Sequence, residues 1–483
     1  MRLIYPLSVV FVSVSTLLLG ATGCGDAINS IFGGGSNNNG ADDSQKPPGF
    51  GGGNGDGGTV KPCIDGLCKQ QQACSGGGTT SITGTVYDPA GANPLYNVLV
   101  YVPNHPDQVQ PITHGATCDR CGNVSGDPLI TAVTDTKGNF TLVNVPVGKD
   151  IPLIIQVGKW RRKLTMPTVE SCVENKLTDK SQTRLPRNKA EGDIPKIALT
   201  TGGADTLECF LRKEKLGLDD AEFTQPDGDG SVNFYAGSGQ GNMAPVTTKY
   251  QSGASFPKAQ GFWGSADSLK KYDLVLLSCE GAVHEETKGQ AAYDAMYDYI
   301  SNGGRMFATH WHRVWFTGNQ QLNSVGTWND GQDPAGGMGT APADIITSFP
   351  KGHDFQEWLG NVNALNGGKG IDIVQPRHNL DAVDPKLARD WITMSDSMTP
   401  GHPTAVEYMT ANAPVGADDA HICGRTVFSD LHVSASDQHG PDWPSGCTTS
   451  GLTPQEKALE FLFFDLSACV QNDNQPPQAG NVK

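Results

Sequence analysis

Two mostly apolar runs and the segment between them constrain the fold most. Tyr272-Asp-Leu-Val-Leu-Leu-Ser-Cys279 is almost uninterrupted in apolar residues, as a strand covered on both faces of a parallel sheet requires. Arg305–Thr309 is a second such run, and the sequence ETKGQAAYDAMYDYISNGG between them reads as a helix with a glycine stop. Ile194–Leu199 and Arg425–Ser429 extend the strand pattern. ADTLECFLRKEKLG follows the first of these and predicts a helix, with Leu207, Phe210, Leu211 and Leu216 near helical spacing. LTPQEKALEFLFFDLSACV predicts a helix of about four turns, with Thr453 as N-cap, Pro454 at N1 and Glu456 at N3. Strand–helix–strand units repeated in this way define a three-layer α/β domain with a mostly parallel sheet.

A different grammar precedes it. SITGTVYDPAGANPLYNVLVYVPN and TAVTDTKGNFTLVNVPVGKDIPLIIQV alternate short β-rich runs with Asp-Pro-Ala-Gly, Asp-Thr-Lys-Gly and Val-Pro-Val-Gly turns. Before that, IFGGGSNNNG and GFGGGNGDGG cannot bury enough apolar surface to offset their ordering entropy, so they read as a flexible tether. With 35 basic against 51 acidic residues the chain carries a net charge of −16, which excludes nucleic acid as a partner. PDGDG at 226–230 lacks the later ligands of a calcium loop and reads as a turn, and KWRRK at 159–163 as a solvated strand end.

The chain opens with Met1-Arg2, an apolar run from Leu3 to Leu19, and Gly20-Ala21-Thr22-Gly23-Cys24. This resembles a bacterial lipoprotein signal. The resemblance implies removal of residues 1–23 and lipid on Cys24, which would hold the protein to a membrane in the cell envelope; Gly25, where Asp would signal retention, favours the outer membrane. Of the 12 cysteines, 11 remain once Cys24 is lipidated. In an exported chain disulfides are the expected state, for Cys63, Cys68 and Cys74 and for Cys118-x-x-Cys121 in preference to a zinc site with His114 and Cys172. Cys423 and Cys447 flank one segment and are the expected bridge.

The run of β motifs resembles carboxypeptidase regulatory-like domains, which are prealbumin-like β-sandwiches serving as spacers or binding modules. The order YDLVLLSCEG, helix, GGRMFATHWH resembles the class I glutamine amidotransferase-like superfamily, and its ThuA-like branch in particular, which implies a flavodoxin-like layout. The expected organisation is a signal peptide (1–23), a tether (24–79), a regulatory-like sandwich (80–190), a ThuA-like α/β domain (191–471) and a disordered tail (472–483).

In the amidotransferases the turn after the second apolar strand carries a nucleophilic cysteine. Here that position falls on His310, and thiolate chemistry at the turn is not available. The carboxyl ends of parallel strands remain the place where ligands sit. They carry Cys279 with Glu280, His310 with His312, and Asp430 with His432, and His284 follows in the loop after Glu280. Imidazoles with a carboxylate suit a transition metal, or a general base with an orienting partner. His310 and His312 share a face only if the strand continues through them.

Three readings follow. One is a non-catalytic, lipid-anchored envelope protein that binds a carbohydrate or cell-wall ligand. A second is a carbohydrate-active or other hydrolase using His310, Glu280 and His432, with Cys279, His284, His312 and Asp430 as further ligand-binding positions and with or without a metal. A structural spacer is a third. The residues leave open whether the chain is an enzyme, and they name no cofactor. Replacing Cys24 by Ser is expected to abolish the lipid mass increment and release the protein from membranes, as read by mass spectrometry and detergent partition; retention of both mass and partition would refute the lipoprotein signal.

Overall fold

The computed structural model describes residues 63–119, 124–241, 245–329, 339–434 and 436–477; the expected signal peptide and most of the expected tether lie outside them. No helix among the described residues is long and apolar enough to cross a membrane. The described residues belong to one compact unit.

Its first part is β-rich. The strands β1 (Ser81–Thr85), β4 (Asn139–Val143) and β7 (Glu174–Lys176) make a three-stranded sheet in the order β4-β1-β7. A four-stranded sheet has the order β3-β2-β5-β6, from β2 (Leu99–Pro103), β3 (Pro128–Val133), β5 (Gly148–Val157) and β6 (Trp160–Val169). Alternation sets the inward residues: Ile82 and Val86 on and beyond β1, Phe140 and Leu142 on β4, and Val100 and Val102 on β2 are all buried in one core.

The second part is an α/β unit around a ten-stranded sheet, ordered β15-β14-β17-β18-β19-β12-β11-β8-β10-β9. The strands are β8 (Ile197–Thr201), β9 (Phe223–Thr224), β10 (Val232–Ala236), β11 (Leu274–Leu277), β12 (Arg305–Thr309), β14 (Thr340–Ile345), β15 (Gly370–Val374), β17 (Ala388–Ser395), β18 (Thr404–Ala413) and β19 (Gly424–Ser429). From β9 across to β19 all neighbours are parallel. The remaining four strands pair antiparallel and come from the long insert after residue 319. The sheet is therefore mixed. The insert widens it, and the insert's β13 (Gly326–Trp328) and β16 (Leu380–Val383) form a separate ribbon.

The helix between the apolar strands spans Gln290–Ser301 and buries Ala292, Ala295, Met296, Tyr299 and Ile300, the spacing of one helical face. Gly303 ends it at φ 106°, and a side chain there would collide with the carbonyl oxygen of Thr117. The expected helix at 204–217 shrinks to one turn, Leu207–Phe210. Its apolar residues are buried as predicted, but tertiary ties replace helical ones: Arg212 pairs with Asp220, Lys215 with Asp437 at 2.7 Å, and Cys209 bonds to Cys447.

The final helix, Pro454–Ser467, begins with the predicted capping box of Thr453 and Glu456. It is buried on nearly every side. Phe461 stacks on Tyr96 of the β-rich part at 5.5 Å, and Phe463 and Phe464 meet Trp160 edge-on. Trp358 donates its indole N–H to the carbonyl of Pro94 at 2.6 Å. The two parts therefore share one apolar core.

Disulfides join Cys63–Cys68, Cys74–Cys172, Cys118–Cys423 and Cys209–Cys447. The expected Cys423–Cys447 bridge is not formed, because each sulfur is held by a segment distant in sequence. Cys118 likewise bonds outside its Cys-x-x-Cys, and His114 turns to Asp273 at 2.9 Å. Cys63 to Thr79 is pinned by two of these bridges and by bonds such as Leu67 N–H to Asn104 O at 3.0 Å, so the tether ends earlier than expected. The tail begins docked: buried Asp473 pairs with Arg425 and Lys351. KWRRK is not a solvated end either, since Trp160 and Arg161 are buried and Arg161 pairs with Asp193 at 2.8 Å.

Two carboxyls meet where the parts join. Asp88, at the turn after β1, and Glu460, on the final helix, are both fully buried and interact electrostatically, and Asn93 donates to Glu460 at 2.6 Å. Burial pushes Asp88 up to about 6, from an ordinary 3.8, and raises Glu460 as well. Folded-state affinities for the proton exceed the unfolded ones, so the pair favours the fold at acid pH and that contribution is lost as pH rises through about 6. Glu460→Gln keeps an acceptor for Asn93 and removes the shared titration. It is expected to be more stable than wild type near pH 8, by about 1–3 kcal/mol, and to lose less stability as pH rises from about 4 through about 6 and beyond. Thermal or urea unfolding across that range checks both.

Candidate functional site

Three adjacent parallel strands, β11, β12 and β19, end side by side and deliver the site. After β11 the chain continues as Ser278-Cys279-Glu280. After β12 it turns at once into a short helix, His310–Arg313, and His310 takes φ 40°, a left-handed conformation seldom adopted by a side chain of this size. After β19 come Asp430, Leu431 and His432. β8, whose carboxyl end closes the same corner, leads into Gly202, where a side chain would strike the carbonyls of Ser278 and Cys279. The chain's first strand of this sheet has β10 on one side and β11 on the other, so the corner lies where the strand order reverses.

The tight turn aims the His310 ring at its neighbours. Its Nδ1 lies 3.4 Å from Cys279 Sγ and 3.2 Å from His432 Nε2. His432 Nδ1 in turn faces Gln375 Oε1 at 2.9 Å. A carboxamide oxygen only accepts, so His432 carries its proton on Nδ1 and presents a bare Nε2 toward His310. All three residues are buried. Burial pushes the Cys279 thiol up to about 12, against the smaller opposing pull of the Trp311 and Gly281 backbone N–H groups at the sulfur. A protonated, enclosed thiol is not a nucleophile.

The loop carrying His432 is fixed from three directions. Asp205 accepts from the N–H groups of Val433 and Ser434, at 3.0 and 2.9 Å. Gln455, in the first turn of the final helix, donates to the carbonyls of His432 and Val433 at 2.8 and 2.9 Å. Gln375, from the insert, holds the ring itself.

The other sequence candidates separate. His312 does not join His310, because the strand ends before it. Its Nε2–H donates to Ser278 O at 2.8 Å and its Nδ1 accepts from the Trp315 indole at 3.0 Å. Burial lowers it to about 4, so it is a neutral, fully bonded histidine. Glu280 does not reach the imidazoles: Oε1 accepts from Ser238 N–H at 2.6 Å, and Oε2 pairs with Lys288 at 2.5 Å in a buried ion pair. Lys288 also lies over the Trp263 ring at 4.9 Å. The triad of His310, Glu280 and His432 is thus not assembled. Asp430 faces the insert and accepts from the N–H groups of Asn379 and Leu380. His284 pairs with Glu286 at 2.8 Å. Cys279, expected as a peripheral ligand position, is instead central. Asp205, Gln375 and Gln455 had no local signal in the sequence; only the fold brings them to His432.

The ligand atoms of Cys279, His310 and His432 lie within 4.8 Å of one another. A second group with such spacing, His353, Asp354 and Glu357, is on the surface of helix Pro350–Asn361.

No protein-family model and no curated protein matches the chain. Solved structures show partial likenesses. A ThuA-like protein from Bacteroides uniformis is 10% identical, with 55% of this chain and 88% of that chain covered and a TM-score of 0.30. A cytoplasmic protein from Salmonella typhimurium is 12% identical over 56% of this chain and 98% of that one, with a TM-score of 0.27. A cohesin–X-dockerin complex from Acetivibrio cellulolyticus is 14% identical over 26% of this chain and 78% of that one, with a TM-score of 0.16. Likenesses this slight carry no weight for function, and the chemistry has to come from the chain's own residues.

Cys279 is the free cysteine among the described residues. Iodoacetamide at about pH 8 is expected to leave it unmodified in the native protein and to alkylate it after denaturation without reductant, as peptide mapping will show. Rapid native alkylation would restore a nucleophilic role.

Proposed function

We propose that this is an exported protein, lipid-anchored at Cys24 and facing the cell envelope, that binds a carbohydrate or cell-wall ligand without cleaving it. In this reading the β-rich part is a regulatory-like, prealbumin-like module and the α/β part a ThuA-like domain that has exchanged amidotransferase chemistry for another use. Export is supported by the disulfides, among them two between described residues that close spans of 305 and 238 residues, which a reducing compartment would not maintain.

Ligand binding rests on one feature. A cavity of about 410 Å³ opens on the β-rich part and is closed on one side by the residues after the final helix. That volume is in the range of small-molecule sites. Asn97, Gln110, Thr113 and Gln156 line it with amide and hydroxyl groups, and Lys159 and Arg161 add donors held in place by Asp273 and Asp193. Such a lining suits a hydroxyl-rich ligand with acidic substituents. The residues of the centre at His310, by contrast, are buried, with only an edge of His432 exposed.

Filling the cavity separates the two places. Thr113→Trp is expected to weaken binding to a glycan array or to peptidoglycan fragments by at least about tenfold, while His310→Ala leaves it unchanged. Binding that survives Thr113→Trp in a normally folded protein would sink the cavity, and binding lost with His310→Ala would move the ligand to the sheet.

A further inference from the structure

Three electron-pair donors of the kind that take late transition metals converge on one point: the Cys279 sulfur, His310 Nδ1 and His432 Nε2. They come from three neighbouring strand ends, so the sheet fixes their separation. Tetrahedral zinc, with bonds of about 2.3 Å to sulfur and 2.0–2.1 Å to nitrogen, would place two nitrogens about 3.3 Å apart and nitrogen and sulfur about 3.6 Å apart. The observed separations are 3.2 Å for the two nitrogens and 3.4 Å for His310 Nδ1 and the sulfur. Ordinary adjustment of the ring angles covers the difference.

The surroundings match what such ligands need. Gln375 holds the Nδ1 proton of His432 and leaves Nε2 to donate, the outer contact that a metal-bound imidazole typically makes. Asp205 and Gln455 fix the His432 loop.

We propose that Cys279, His310 and His432 bind one late first-row transition metal ion, zinc(II) being the one that fits the spacing, through one thiolate and two neutral imidazoles, with Gln375 as a positioning residue. On binding, the Cys279 S–H bond breaks, its proton passes to solvent, and the sulfur lone pair goes to the metal. His310 gives up the Nδ1 proton that it directs at the bare Nε2 of His432 and takes one on its own Nε2, remaining neutral with Nδ1 free for the metal. Three protein ligands leave a fourth position for water or an anion, as zinc sites with chemistry keep. This site is separate from the ligand cavity and stands or falls without it.

The test uses the full chain purified in detergent, stripped with chelator and titrated with zinc(II), and with cobalt(II) as a spectroscopic reporter. One ion per chain and a thiolate-to-cobalt charge-transfer band in the near ultraviolet are expected. Cys279→Ser should remove the band and weaken zinc binding at least about tenfold, and Gln375→Leu should weaken it about 10–100-fold with the band retained. His353→Ala, in the exposed cluster on helix Pro350–Asn361, should change neither. Circular dichroism of each variant separates lost ligands from lost fold. The proposal is overturned if the folded wild type binds no stoichiometric metal, if the band is absent, if Cys279→Ser and His432→Asn both bind as wild type, or if His353→Ala abolishes binding.

Discussion

The helix Pro454–Ser467 is the member on which the rest of the molecule depends. Leu459, Phe461, Leu462, Phe463, Phe464 and Leu466 are all buried, so it has no solvent face on which to rest polar residues. It is not amphipathic, and no single sheet could cover it. It is stable only where the β-rich part, through Tyr96 and Trp160, closes one side and the α/β part closes the other. Its first turn carries Gln455, which clamps the His432 loop. The same element therefore seals the two parts into one unit and sets the position of a site residue at its other end.

Much of the architecture was legible because its signals are local. Alternation in SITGTV and NFTLV, the unbroken apolar run LVLL, and the Thr453-Pro454-Glu456 start are properties of a few residues each, and each appears where its pattern puts it. What failed was non-local. The 204–217 helix gave way to ion pairs and a disulfide whose partners are far along the chain. Cysteine pairing followed the same rule: proximity in sequence suggested Cys423 with Cys447, whereas the fold sets Cys423 beside Cys118 and Cys447 beside Cys209. The antiparallel extension of the sheet by the insert of about 100 residues had no local signal of its own either.

For the site, the strand ends were readable and the company they keep was not. A carboxylate one residue beyond a strand looks available from sequence, but Glu280 is already committed to Lys288 inside the protein. Breaking that pair would leave a buried charge uncompensated, which typically costs several kcal/mol, so Glu280 is held where it is. A histidine two residues from another looks like a partner, but the strand ends in a left-handed turn at His310, and His312 spends both ring nitrogens on Ser278 and Trp315.

The buried acids of this corner share a pattern. Asp205 and Asp430 each place a carboxyl against two backbone N–H groups of a neighbouring loop, one bearing His432 and the other belonging to the insert. Burial raises both to about 7, with those N–H groups pulling the other way. Neither touches the imidazoles. Their work is to replace, for loops that have no secondary structure of their own, the hydrogen bonds that water would otherwise provide. A corner built in this way can exclude solvent and still hold two histidines and a cysteine at fixed separations, which an ordinary apolar core has no reason to do.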